Sequence, residues 1–357
     1  MPRSRFLQTP VEPFRVEAGL TPEQILARLE GISFQGRNLG VAYRVWRRML
    51  ADQDLTIFLG AAGALSAGGL RLTLAHLVTH RFVDGLVSTG ANLYHDLHET
   101  RGRRHYMGSP HADDRALKAE GIDRVYDTYA REAEFVENDE WIAAFVCTLE
   151  PRPYTSREFL YRLGEHLWRE TGADGLLTAA YRAKLPIYCP AIADSSLGMA
   201  LAQARHDRPG AGFIDVVADV IELANLVLAS EGTASVVLGG GTPKNFINQA
   251  IVEAEYYRPG VEGHRYAVQI VTDPPHFGGA SGASLEEAKS WGKVATDAAQ
   301  VTVSADVTIA LPLLASAVAA SAADLLRARR PVAFEPGGAT LLREGQSVPH
   351  HRFSAQP

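Results

Sequence analysis

Lys293 stands in the stretch Ser290-Trp291-Gly292-Lys293, behind the adjacent acids Glu286 and Glu287 and ahead of a short apolar run from Val301. An amine is a nucleophile only when neutral, so such a lysine needs its ordinary pKa of about 10.4 lowered by burial or by positive charge nearby. Trp291 offers a desolvating wall. The two glutamates act the other way and suit the binding of a polycation. The set fits an amine that forms an imine with its substrate; a solvated lysine at a helix end is the plain alternative.

Other residues have types and spacing that could hold a ligand. Gly239, Gly240 and Gly241 follow an apolar run in VVLGGGTPKNF, where they let backbone approach a phosphate or a nicotinamide and open a helix N-terminus. FLGAAGALSAGG and STGAN follow two further runs in the same way. Each is also what a tight strand-to-helix turn requires, but three such ends in one sheet favour a nucleotide. Its nicotinamide cation would help to hold Lys293 neutral. Asp194 in PAIADSSLG and Asp306 in VSADVT stand where an acid accepts ribose hydroxyls or, equally, caps a helix. His95 and His98 share one helical face in YHDLHE. Two imidazoles without a third ligand read as a solvated face, and no metal is expected.

These candidates need a frame that brings them together. Short apolar runs rich in β-branched residues begin at Leu55, Val83, Leu185, Ala234, Tyr266 and Val301, with helical patterns between them. One such pattern, SREFLYRLGEHLWRETG, opens on a Thr155/Ser156 cap signal and closes near Gly172. Continuous apolar strands alternating with amphipathic helices predict an α/β fold, a doubly wound, mostly parallel Rossmann-like sheet with helices on both faces. The expected organisation is one domain over 1–330, with an insertion of helices and loops at about 101–153 and a polar C-terminal tail at 331–357. The apolar run Val307 to Ala323 is broken by Pro312 and reads as a buried strand end and helix.

Composition narrows the partners. The 357 residues are 46% hydrophobic and 21% charged with a formal net charge of -6, and there is no block of five like charges. Nucleic acid and anionic membrane surfaces are therefore not expected as partners, whereas a small cationic ligand is. Cys147 and Cys189 are too few for a disulfide framework, which fits a reducing cytoplasm. The N-terminal stretch lacks the apolar region of a signal peptide, and no membrane span is expected.

With these motifs in place the chain resembles the deoxyhypusine synthase family, which includes the homospermidine synthases. The ordered set FQGRNLG from Phe34, FLGAAGALSAGG, LVSTGAN, YRLGEHL, PIYCPAIADSSLG, LGGGTPKNF and SGASLEEAKSWGK carries the likeness along nearly the whole chain. The PKNF form is similar to the bacterial, deoxyhypusine synthase-like branch. The resemblance implies NAD-dependent transfer of a 4-aminobutyl group from spermidine to an amine through a lysine imine, in a homotetramer with active sites between subunits. It implies Lys293 as nucleophile, Trp291 as a wall for the aliphatic chain, and Glu287 as acceptor for an ammonium. It places Thr89, Asp194, Gly239, Gly240, Thr272, Ser281 and Asp306 along the NAD site.

The departures from the family pattern bear on the substrate. Asn245, expected among the substrate-binding residues with Glu287 and Trp291, stands where the family has a histidine, and Met199 and Ala280 stand where it has acids. Each lost ion-paired hydrogen bond is worth about 1.5–3 kcal/mol, enough to change which amine is preferred. The expected reaction is transfer to a small amine, putrescine, giving homospermidine. The alternatives are deoxyhypusine formation on a translation-factor lysine and a non-catalytic NAD-binding relative. Retention of Lys293 with Trp291 and Glu287 speaks against the last.

Overall fold

The computed structural model describes residues 6–330 and, as backbone alone, the short strands Ala333–Phe334, Leu341–Arg343 and Gln346–Ser347. Each of the six apolar runs forms one strand of a single sheet: β1 (Leu55–Ala61), β2 (Gly85–Ser88), β3 (Ile187–Tyr188), β4 (Gly232–Leu238), β5 (His264–Val271) and β6 (Val294–Ser304). Their spatial order is β6-β5-β4-β1-β2-β3, and all five pairings are parallel. This is the 3-2-1-4-5-6 order of dinucleotide-binding sheets, with its switch point between β1 and β4.

The continuous apolar character of the inner strands follows from burial on both faces. In β1, Ile57 and Leu59 face one cluster with Trp46 and Met49, while Phe58 faces another with Leu226, Ile247 and Ile251. Every residue of β1 and β2 is buried. Removing a side chain of this size from water contributes about 1.5–3 kcal/mol, so either face alone would leave half of each strand unsupported. The helix Ser156–Thr171 starts on Thr155, whose side chain accepts from the Glu158 amide, and ends on Gly172 in the left-handed region.

One pairing is irregular. His264 of β5 lies opposite Val294 of β6, and the next pair is Tyr266 with Ala299. Four residues of β6, 295–298, therefore stand against a single residue, Arg265, before the ladder resumes.

Two expectations need correction. The segment at 101–153 holds more than helices and loops: Tyr106–Met107, Thr128–Arg131 and Ile122–Val125 pair as a small antiparallel sheet, beside the helices Asp114–Ala119 and Glu132–Thr148. Strands of two to four residues are too short to produce an alternation that can be read. The run from Val307 contains no strand end, because Val307–Ser321 is one helix with Pro312 inside it. Pro312 is its sixth residue and forfeits only the bond to the Thr308 carbonyl, which one turn of a well-buried helix tolerates. The tail at 331–357 lies outside the described residues except for the three short strands, which pair antiparallel.

Candidate active site

The carboxyl ends of the strands gather the residues singled out for a cofactor. Thr89 follows β2; its amide donates to the Ala61 carbonyl at 3.1 Å and its hydroxyl to the Gly63 carbonyl at 2.6 Å. One turn on, buried Asn92 accepts from the Ser66 amide and donates to the Ala61 carbonyl. Together these bonds fix the loop that leaves β1. After β4, Gly240 meets the loop at Ser281 so closely that an added Cβ would stand 2.4 Å from the Ser281 Cα. No other residue fits there. Thr272 follows β5 directly and is exposed, and Asp194 is exposed in the turn after β3, where Ser195 takes the N-cap position.

Asp306 follows β6 and is a helix cap, accepting from the Thr308 amide at 2.7 Å and from the Thr308 hydroxyl. It also lines a cavity of about 660 Å³ that reaches from the loop after β1 to Tyr126 and Thr128 of the inserted sheet. Among the seven cofactor candidates, Asp306 alone contributes to this lining. Glu99 and His105 belong to it as well, and the sequence did not single them out. His105 bonds Glu99 at 2.7 Å on one side and His95 at 2.9 Å on the other. His95 and His98 are buried and not on a solvated face, because the inserted segment covers them. Burial, with neighbouring imidazoles, pushes both down to about 4, so they are neutral at pH 7.

Lys293 lies at a second, smaller cavity of about 70 Å³, on the face of the sheet covered by the helix Gly241–Tyr257. The short helix Leu285–Ser290 begins on Ser284, which accepts from the Glu287 amide at 3.0 Å, and it buries Leu285 and Ala288. Gly292, at φ 69°, then turns the chain in the left-handed region that favours glycine. The Lys293 amide donates back to Ala288 at 3.1 Å and its carbonyl accepts from His264 at 3.1 Å. Its backbone is thus held from both sides before β6 begins.

The side chain is held less firmly. Its Nζ lies 3.5 Å from Asn245 Oδ1 and 5.2 Å from the centre of the Trp291 ring. Partial burial lowers its pKa from the ordinary lysine value, and Glu287 opposes that shift. Trp291 is 64% exposed, so it does not supply the dry wall expected of it. A ring beneath an ammonium also favours the charged form.

The two glutamates separate. Glu287 lines the cavity, whereas Glu286 accepts from Gln300 at 2.6 Å and pairs with Lys289 at 2.9 Å. The departures separate too: Asn245 and Ala280 line this cavity, and Met199 is 63% exposed on the helix after β3.

Sequence reasoning missed Lys244, Gln269 and Asn248. Lys244 is buried and donates to Gln269 Oε1 at 3.0 Å, to the Ser281 carbonyl at 3.5 Å and to the Ala283 carbonyl. Gln269 donates to the carbonyls of Gly239 at 2.9 Å and Ser281 at 2.8 Å. The pair is a polar strut joining the glycine loop after β4 to the segment that carries the Lys293 helix. Burial, with Lys293 adding to it and Glu287 opposing, brings Lys244 down to about 8. The available signal was Lys244 and Asn248 at i and i+4, one face of a helix opened by three glycines.

Comparison with known proteins adds to this geometry. The family model described as deoxyhypusine synthase matches residues 24–318. A protein of Methanosarcina acetivorans named probable deoxyhypusine synthase 2 is 43% identical over 334 residues, 93% of this chain and 96% of its own. A deoxyhypusine synthase-like protein of Coxiella burnetii is 40% identical over 296 residues, covering 82% and 84%. A crystal structure from Entamoeba histolytica, described as a candidate deoxyhypusine synthase, has a TM-score of 0.60 at 20% identity, covering 87% of this chain and 97% of that one; it bears on the fold alone.

Proposed function

The chain belongs to the deoxyhypusine synthase family, and from that premise we propose that it is an NAD-dependent aminobutyltransferase. It moves a 4-aminobutyl group from spermidine or a related polyamine, through an imine on Lys293, to an amine acceptor. We assign putrescine as that acceptor, with homospermidine as product. The observation that carries the reading is the position of Lys293: a lysine with lowered pKa, fixed by its backbone at a cavity that also holds Glu287 and Trp291.

The switch-point loops fit a dinucleotide: they stand at the carboxyl ends of the strands where the strand order reverses, with Gly239, at φ 78°, partly open among them. Thr89, Asp194, Gly239, Gly240, Thr272, Ser281 and Asp306 would hold NAD, which when bound supplies a reversible hydride acceptor for the carbon bearing the donor nitrogen. Lys293 does the transfer. Its neutral amine adds to the oxidised carbon, forms the new C–N bond and releases 1,3-diaminopropane as the old one breaks. The acceptor nitrogen then displaces Lys293 Nζ, which leaves as the free amine, and the return of the hydride to the same carbon would leave the product as a secondary amine with no net oxidation. Glu287 holds an ammonium end of the chain, and Trp291 covers its methylenes.

With Trp291 exposed, we assign the missing wall to a second copy, in a cytoplasmic homotetramer with active sites between subunits. The same open mouth, with the names of the relatives, favours a second reading, deoxyhypusine formation on a lysine of a translation factor. Purified protein is given NAD, spermidine and putrescine, and the products are identified by mass spectrometry. Homospermidine with diaminopropane is expected. Spermidine consumption only when the protein acceptor is added selects the second reading, and none under either condition defeats both.

A further inference from the structure

Asn248 lies one turn beyond Asn245 on the helix Gly241–Tyr257 and lines the Lys293 cavity. It is only 4% exposed, and its Oδ1 is buried without a hydrogen-bond partner. The carboxamides flanking the cavity therefore differ: Asn245 Oδ1 meets Lys293 Nζ at 3.5 Å, while the Asn248 oxygen meets nothing in the protein. An unpartnered buried amide destabilises a fold, and a site that keeps one holds it ready for a ligand. Glu287 is the carboxylate of this lining, beside the two lysines Lys244 and Lys293. A neutral acceptor there can bind an N–H without adding a second negative charge.

We propose that Asn248 determines specificity, accepting a hydrogen bond from the far nitrogen of a short diamine chain whose other end is presented to Lys293. The inference rests on the aminobutyltransfer reading and adds to it: the cavity tells a diamine from a monoamine of equal length through Asn248. The amide touches the ligand's terminal nitrogen and takes no part in bond making. Ala280, small in the same lining, adds no polar side chain to compete for the ligand.

Binding of 1,4-diaminobutane and of n-butylamine to the NAD-loaded protein is measured by calorimetry, for wild type and for the near-isosteric Asn248→Leu, with Asn248→Ala as the second variant if the leucine form does not fold. Wild type should prefer the diamine by about tenfold or more, the worth of one hydrogen bond to a charged group. Asn248→Leu should lose that preference, bind n-butylamine as wild type does and, ligand-free, melt no lower than wild type. An undiminished diamine preference in the variant overturns the role of Asn248, makes the amide a water site only and leaves the transferase reading standing. Failure of wild type to bind either amine overturns this inference and the transferase reading together.

Discussion

Beneath β3, Arg157 forks onto the Glu222 carboxylate, and the Tyr188 hydroxyl donates to the same group at 3.0 Å. Ser156 closes the cluster, its amide donating to Asp219 at 2.9 Å and its hydroxyl accepting from the Cys189 amide at 2.8 Å. On the other wing of the sheet, the Lys293 cavity sets two lysines against one glutamate and leaves Asn248 Oδ1 without a partner. The first region is closed, with Arg157 matched to Glu222 and one carboxylate oxygen, Asp219 Oδ2, left without a partner. The second is charge-unbalanced, partly open, and anchored on the fully bonded Lys244. Buried polar groups that satisfy one another specify a structure, whereas an unsatisfied one that lines an open cavity, as Asn248 does, describes the ligand.

Substitutions can break this contrast, beginning with the largest effect. Lys293→Arg should abolish both aminobutyl transfer and the borohydride-trapped adduct on its peptide, since guanidinium stays charged and cannot form the imine. Its melting temperature should stay near that of wild type; transfer at an undiminished rate would remove Lys293 from the mechanism. Glu222→Ala should have the reverse profile, with a stability loss of about 3–5 kcal/mol in urea, because it strands Arg157 in the interior. Its counterpart Glu287→Ala, at an exposed residue, should alter stability by less than about 0.5 kcal/mol while weakening amine binding.

Two smaller effects are read from pH. Lys244 titrates at about 8 in the folded chain against its ordinary 10.5, so between these values the unfolded chain keeps a proton that the folded chain has lost. Stability should therefore rise with pH across that window, and Lys244→Met should flatten the rise. Asp219 has the opposite sign, because burial raises it from 3.8 to about 7. Its folded form holds the proton across that range, so this contribution is full below about 3.8 and is lost as pH climbs to about 7. The stability difference between Asp219→Asn and wild type should drift accordingly, and a flat difference from pH 4 to 7 would disprove the shift.

What the sequence disclosed, and what it withheld, follows the range of the interactions involved. Six apolar runs became six strands in the expected architecture, because two-sided burial writes itself into consecutive residues. The cap at Thr155 and the close at Gly172 were equally local. Lys293 was visible because its motif is contiguous; by type and spacing Glu286 and Glu287 read alike, and it was the family resemblance that singled out Glu287, which the helix turns toward the cavity. Lys244 and Gln269 meet across 25 positions, and His95 is buried by a segment folded back over it, so neither arrangement leaves a periodic trace. The inserted sheet was missed for want of length.

The unequal pairing of β5 and β6 has a consequence for how such a site can change over evolutionary time. Downstream of Ala299 the ladder is in step, and upstream of it residues 295–298 lie opposite one residue of β5. A residue gained or lost among those four would be absorbed in that stretch, leaving the Trp291–Lys293 arm held by His264 and the strand that packs the core in step. The place of the nucleophile is thus insulated from changes of length in the strand that follows it.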